Sequence, residues 1–191
     1  MRELKYYVAA TVDGFIARPD GSFDGFFLAE GEHFADLVAL FPETFSALLR
    51  PALGIDAPNR EFDTVLMGRH TYEVGLRAGV TSPYPHLAQY LFSRTLSASP
   101  DPAVRLVTGD PLAFVRSLKG AAGKHVWLCG GGELAAALFP EIDELILKLN
   151  PVLFGSGIPL FARPVERGRL ALADRRVYGN GFQLLRYRLQ R

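Results

Sequence analysis

Three short segments carry groups suited to holding phosphate. Met67-Gly68-Arg69-His70-Thr71-Tyr72-Glu73 follows an apolar run; there a glycine lets a ligand approach the backbone, Arg69 supplies a bidentate donor, and Thr71 adds a hydroxyl where a helix begins. Phe92-Ser93-Arg94-Thr95 repeats the hydroxyl and guanidinium after a second apolar run. Gly130-Gly131-Gly132-Glu133 stands between a third such run and a helical stretch, so its amides face outward with no Cβ in the way. Each has a plain alternative: an N-cap with a solvated arginine, a polar loop, a tight strand-to-helix turn. Together, at successive strand ends, they point to one ligand with more than one phosphate. Two arginines with neighbouring hydroxyls suit a 2′-phosphate, which favours NADP over NAD.

The elements that must position these groups follow from period and punctuation. A strand over Leu4 to Ala10 closes at the Asp13-Gly14 turn signal. Residues 18 to 61 are irregular and rich in Gly and Pro, around a helical face of Phe34, Leu37, Val38, Phe41, Phe45 and Leu48 that Pro42 breaks or restarts. From there strand and helix alternate. Strands are expected at Phe62 to Met67, Gln89 to Phe92, Val104 to Val107 and His125 to Cys129, with helices from about His70, over Pro111 to Lys119, and from the glycine triplet to Phe139. Glu144 to Leu149, Leu170 to Tyr178 and Phe182 to Leu189 then read as strands, the last two joined in a hairpin by Gly179-Asn180-Gly181. This order implies a mostly parallel sheet, covered by helices on both faces, with antiparallel strands at one edge. In such a sheet ligands bind outside the carboxyl ends of the strands.

Composition bounds the rest. The 191 residues carry 21 Lys plus Arg against 20 Asp plus Glu, a net charge of +1. One domain is the natural reading, and a general nucleic-acid binder, which needs a broad cationic excess, is disfavoured. A single cysteine, Cys129, excludes an intramolecular disulfide and any multi-cysteine metal site. No apolar run is long enough for a signal-peptide core or a membrane span, so a cytoplasmic protein with no membrane partner is expected.

Neither standard nucleotide fingerprint fits. The glycine triplet lacks the GxGxxG spacing, comes late in the chain and has no Walker A lysine. The ordered set is different: Ala9-Ala10-Thr11-Val12-Asp13-Gly14-Phe15-Ile16-Ala17, the Gly68-Arg69 segment, Phe92-Ser93-Arg94-Thr95, Gly130-Gly131-Gly132-Glu133-Leu134, and Leu149-Asn150-Pro151-Val152-Leu153-Phe154-Gly155-Ser156-Gly157-Ile158-Pro159-Leu160-Phe161. In that order it resembles the dihydrofolate reductase superfamily, and more closely the bacterial branch related to the reductase domain of riboflavin biosynthesis.

The resemblance covers nearly the whole chain except residues 18 to 61. It implies a dihydrofolate reductase-like three-layer α/β fold and an NADPH-dependent reductase of a small heterocyclic, pterin- or pyrimidine-like, or carbonyl substrate, with a homodimer as the family's habit. A non-catalytic NADP(H)-binding protein on the same fold is the alternative. Carried over by position, Gly68, Arg69 and Thr71 would take the adenosine-side phosphates, and Ser93 and Arg94 the 2′-phosphate. Gly131, Gly132 and Glu133 would open the helix facing the pyrophosphate, and the backbone of Ala9 and Ile16 would hold the nicotinamide carboxamide. Asp13 reads first as a turn former, and with Phe154 and Gly155 it falls near the substrate end of the cleft.

The chain departs from folate reductases at the proton. Those enzymes assist protonation with a buried carboxylate on the first helix. Here the acids in that region are Asp24, Glu30, Glu32, Asp36 and Glu43, and at 100° per residue Asp36 and Glu43 fall opposite the apolar face, toward solvent. An acid from Asp24, Glu30, Glu32 and Asp36, or a bound water, is left as the proton source. The tryptophan of folate reductases near Pro19 to Asp24 is also missing. His33, His70, His86 and His125 lack metal-ligand spacing and read as surface or capping residues, and Cys129 as a packed thiol. Phe23, Phe26, Phe27 and Tyr84 read either as core or as walls of a flat-ring pocket.

Overall fold

A computed structural model describes residues 1–26 and 31–190. The chain begins with strand β1 (Leu4–Thr11) and a short strand β2 (Phe15–Ala17), then helix α1 (Glu32–Leu40), a 3-10 turn over Pro42–Thr44 and a one-turn helix α2 (Leu49–Ala52). Next come β3 (Phe62–Gly68), α3 (Arg69–Arg77), β4 (Ala88–Phe92), β5 (Val104–Val107), α4 (Pro111–Gly120), β6 (His125–Gly130) and α5 (Gly132–Leu138). The chain closes with β7 (Ile142–Asn150), β8 (Ile158–Pro159), β9 (Arg169–Val177) and β10 (Gln183–Gln190).

Eight strands form one sheet in the order β5-β4-β3-β6-β1-β7-β10-β9, while β2 and β8 pair as a small ribbon. All neighbours from β5 to β7 are parallel, and β10 runs antiparallel to both β7 and β9. The expected mostly parallel sheet with an antiparallel hairpin is therefore the observed one.

Alternation along the inner strands sends apolar side chains to both faces, as burial on two sides requires. Tyr7, Val65, Trp127 and Ile146 join Leu37, Phe41 and Tyr72 in one core, on the side of α1 and α3. Tyr6, Val8, Leu128 and Leu145 join Val115, Leu134 and Leu138 on the side of α4 and α5. α4 starts as its sequence demands, with Pro111 in the first turn and the Asp110 carboxylate accepting from the Leu112 N–H.

In the irregular segment Pro42 breaks the helix and starts a second short one as expected, but Leu48, Glu43 and His33 do not sit as expected. The helix stops at Leu40, and Pro42 starts a separate 3-10 turn rather than continuing the apolar face, so Leu48 is left exposed. That restart also swings Glu43 inward. Instead of facing solvent it is wholly buried, where its carboxylate accepts from the backbone N–H groups of Arg60, Glu61 and Phe62. His33 is likewise no surface residue. It is buried with its ring 4.5 Å from Phe182, and its Nδ1 is paired with the Asn180 amide at 3.0 Å, because the hairpin turn packs over the start of α1.

Candidate active site

The three phosphate-suited segments end three neighbouring parallel strands. Gly68 is in register with Phe92, and Met67 with Gly130, so the ends of β4, β3 and β6 form one continuous edge. Beside them the sheet opens. Pairing between β1 and β6 runs only from Leu4–Val126 to Tyr6–Leu128, whereas β1 stays paired with β7 as far as Thr11–Asn150. The carboxyl ends of β1 and β6 thus part, and the gap in the pairing falls at the place where a parallel sheet binds ligands.

Side chains and glycines line this opening in a definite order. A Cβ built on Gly131 would stand 3.6 Å from the Thr71 hydroxyl and 3.9 Å from Ile16 Cδ1. Three of the expected cofactor residues, Ile16, Thr71 and Gly131, therefore converge around a space that a side chain on the glycine would enter. Gly130 has φ +145°, which favours glycine. Arg69 is 41% exposed and loosely held, 3.5 Å from Glu73 and 3.5 Å from the Thr95 hydroxyl, which bridges it to the neighbouring strand end. Arg94 is exposed and has no hydrogen bond or ion pair among the described residues. Two guanidinium groups of low commitment at adjacent strand ends can receive an anion without first losing a strong partner.

Other expected residues have local duties. The buried Ser93 hydroxyl accepts from the Thr95 and Leu96 N–H groups, so it shapes the loop that presents Arg94. Gly132 is needed for packing, since a Cβ there would lie 2.4 Å from the Pro159 carbonyl oxygen. Glu133 points its carboxylate at Arg163, 2.5 Å away, which leaves only its backbone to face a phosphate. Ala9 is in register with Lys148 on β7 and lies past the last β1–β6 pair.

Asp13, Phe154 and Gly155 are brought together by one another. The Asp13 carboxylate accepts from the Phe154 N–H at 3.1 Å and the Gly155 N–H at 2.7 Å. A hydrogen bond from Thr11, then those backbone bonds, hold its pKa below the usual carboxylate range. This clasp joins the loop after β1 to the loop after β7, and Phe154 is covered by Phe26 and by the Arg18 guanidinium. Gly157 completes the join, because a Cβ there would lie 2.2 Å from the Ala17 carbonyl oxygen.

Of the candidate acids, Asp24 and Glu32 are exposed, and Glu30 lies outside the described residues, as does Phe27. Asp36 accepts from the Tyr178 hydroxyl at 2.8 Å and from Arg176 at 2.7 Å, and these two partners lower its pKa. Both partners belong to β9 and the turn that follows it, so the carboxylate is engaged on the side of the hairpin.

The floor of the cleft on the α1 side carries Cys129, expected as a packed thiol, Tyr84, expected as core or pocket wall, and Lys148, which no motif marked. Lys148 of β7 and Cys129 of β6 both face the core that contains Tyr7 and Trp127, and Tyr84 joins them from the segment before β4. Tyr84 is fixed there because its backbone N–H donates to Gln89 Oε1, and its ring meets Trp127 at 4.9 Å. The signal for Lys148 was present: one lysine inside the otherwise apolar run Leu145-Ile146-Leu147-Lys148-Leu149.

Comparison with known proteins agrees with the architecture. A family model described as the RibD C-terminal domain matches residues 2–184. The chain is 31% identical over 187 residues to the uncharacterized protein YwjB of Bacillus subtilis strain 168, covering 96% of each. Among solved structures, a putative riboflavin biosynthesis protein from Shewanella sp. PV-4 superposes with a TM-score of 0.74 at 22% identity over the whole of both chains. The diaminohydroxyphosphoribosylaminopyrimidine deaminase/5-amino-6-(5-phosphoribosylamino)uracil reductase of Thermotoga maritima gives 0.64 at 14% identity, over 99% of this chain and 57% of that one. At these identities the structural matches establish the fold. No helix among the described residues is long and apolar enough to cross a membrane.

Proposed function

The chain belongs to the RibD C-terminal domain family, and from that premise we propose that it is an NADPH-dependent reductase of a small heterocyclic, pyrimidine- or pterin-like, or carbonyl substrate. The observation that carries this reading is the parting of β1 from β6 directly beside the strand ends that bear Arg69 and Arg94. A dinucleotide laid across that edge has its adenosine-side phosphates by Arg69 and Thr71, with its 2′-phosphate shared between Arg69 and Arg94. The amides of Gly131, Gly132 and Glu133 face the pyrophosphate. The glycine at 131 and the two weakly engaged arginines suit such a ligand in shape and in charge.

When bound, NADPH supplies the hydride; the protein's work is placement. The backbone of Ala9 and Ile16 orients the nicotinamide carboxamide, and the clasp of Asp13 on Phe154 and Gly155 closes the substrate end and limits water. The Thermotoga protein's pyrimidine substrate and the aromatic wall of Phe26 and Phe154 support a flat ring as the acceptor. A cytoplasmic homodimer is part of the same reading, with the outer strand β9 and its exposed Leu170, Leu172 and Val177 as the joining edge.

The test is direct. NADPH should raise the melting temperature more than NADH does, and a panel of pterins, pyrimidinones and quinonoid compounds should contain an acceptor that oxidises it. No stabilisation by either nucleotide removes the reading. Stabilisation without oxidation across the panel favours a non-catalytic NADP(H)-binding protein.

A further inference from the structure

Resting on the reductase reading, we propose that Lys148 is the group that meets the substrate heteroatom and gives it the proton. Its Nζ stands 4.4 Å from the centroid of the Tyr7 ring, on the α1 side of the sheet. Its register partner on β1 is Ala9, one of the residues proposed to orient the nicotinamide, so the lysine lies beside the reacting end of the cofactor rather than at its phosphates.

The surroundings of Lys148 suit proton transfer. Tyr7 faces it from β1 and Cys129 from β6, and Tyr84, from the segment before β4, meets that cysteine and Tyr7. On β10 its register partner is the apolar Leu184, and α1 sends Phe34 and Leu37 into this core while its Asp36 is engaged by Arg176 and Tyr178. Burial draws the ammonium down to about 8 against an opposing effect of Cys129, and burial lifts the Cys129 thiol to about 11. Near neutral pH the lysine is therefore charged yet ready to release its proton, while the thiol beside it stays protonated. A lysine serving only to pack on Tyr7 would have no need to sit at the open end of the strand pair.

The step balances. As the electrophilic carbon of the substrate C=N or C=O takes the hydride, its π pair moves onto the heteroatom. Lys148 gives that atom a proton and keeps the N–H bonding pair as a neutral amine, which solvent recharges. The substrate gains two electrons and NADPH loses them.

The test uses the full chain. Acetylation with acetic anhydride at graded pH, read site by site by mass spectrometry, should give Lys148 a midpoint near 8 rather than the ordinary 10.5, and NADPH should slow its labelling at least threefold. With an acceptor from the panel above, Lys148→Met should lower kcat by about 100-fold or more, leave the Kd for NADPH within twofold, and abolish the decline in rate as pH rises through 8. Lys148→Arg should not restore kcat, because a guanidinium keeps its proton there.

A midpoint of 10 or above without shielding by NADPH overturns the assignment, whether or not an acceptor is found. So does Lys148→Met turning over within threefold of the parent, or a larger loss in Glu30→Gln while Lys148→Met stays active. Absence of NADPH stabilisation in the parent protein is a separate result, which removes the reductase reading itself.

Discussion

Trp127 on β6 donates its indole N–H to the Tyr7 carbonyl of β1 at 3.0 Å, directly beyond the Tyr6–Leu128 pair at which backbone pairing between the two strands stops. A buried carbonyl that the ladder no longer serves is satisfied by a side chain, so the strands can part without stranding a polar group. The cleft beside the glycine triplet depends on that substitution of one donor for another. The same indole meets the ring of Tyr84 and that of Tyr7, over which Lys148 is placed.

Trp127→Phe keeps most of the ring but leaves the Tyr7 carbonyl without a donor. The expected cost is about 1–3 kcal/mol, which for a chain of this size lowers the melting midpoint by roughly 3–10 °C. Differential scanning fluorimetry with an external dye measures it. Because Trp127 is the one tryptophan, its emission in the unaltered protein should also be quenched when NADPH enters the cleft.

Arg69→Ala and Arg94→Ala should each weaken NADPH about tenfold more than NADH, a difference of about 1.4 kcal/mol. The reason is that the lost donors face a phosphate that NADH does not have. Titration calorimetry with both nucleotides gives the ratio. Equal weakening would reassign the arginines to the shared pyrophosphate, and an unchanged affinity would leave them as solvated surface.

Much of this arrangement could be read from the chain because the inner strands obey simple rules. Val104–Val107 and the start of β3 at Phe62 lie where apolar runs and turn residues put them, and the three phosphate-suited segments do end neighbouring strands. What escaped reading was pairing over long separations. β2 and β8 are too short to show a period, and they are held by contacts such as Gly157 against Ala17. Glu43 and His33 looked exposed because helical phase was carried past Pro42 in one case and the hairpin's cover was invisible in the other. Lys148 was legible as an oddity in an apolar strand, but its closeness to Cys129 and Tyr7 depends on strand order, which no local pattern contains.

Glu43→Gln tests the inward carboxylate. Three backbone N–H groups converge on it, two of them at 2.6 Å, and they fix the chain where it enters β3. The amide substitute loses the charge and brings an N–H donor toward other donors. A loss of about 3 kcal/mol is expected, or roughly 6–12 °C in melting midpoint. Near-parent stability would mean that the entry to β3 is held by packing alone. NADPH affinity, measured below the lowered midpoint, should stay close to that of the parent because Glu43 lies outside the cofactor edge.

Glu3 predicts how stability falls in acid. At the amino end of the sheet it pairs with Arg188 at 2.8 Å and with the buried Lys5 at 3.1 Å, and Lys5 also meets Glu61 and Glu144. Burial alone would raise the Glu3 carboxyl, but the hydrogen bonds from Arg188 and Lys5, together with their charges, outweigh it and hold the group at about 2 against an ordinary 4.5. A folded value below the unfolded one means the contribution is complete above about 4.5, declines as pH falls, and is gone below about 2. Glu3→Gln should therefore be less stable than the parent at pH 7, with the gap closing steadily through that window. Lys5 keeps Glu61 and Glu144 as partners, so the variant should still fold. Urea unfolding of both proteins at pH 7, 5, 4 and 3 decides it: parallel losses would show that Glu3 has no part in the acid response, and convergence would assign that part to its pairing with Arg188 and Lys5.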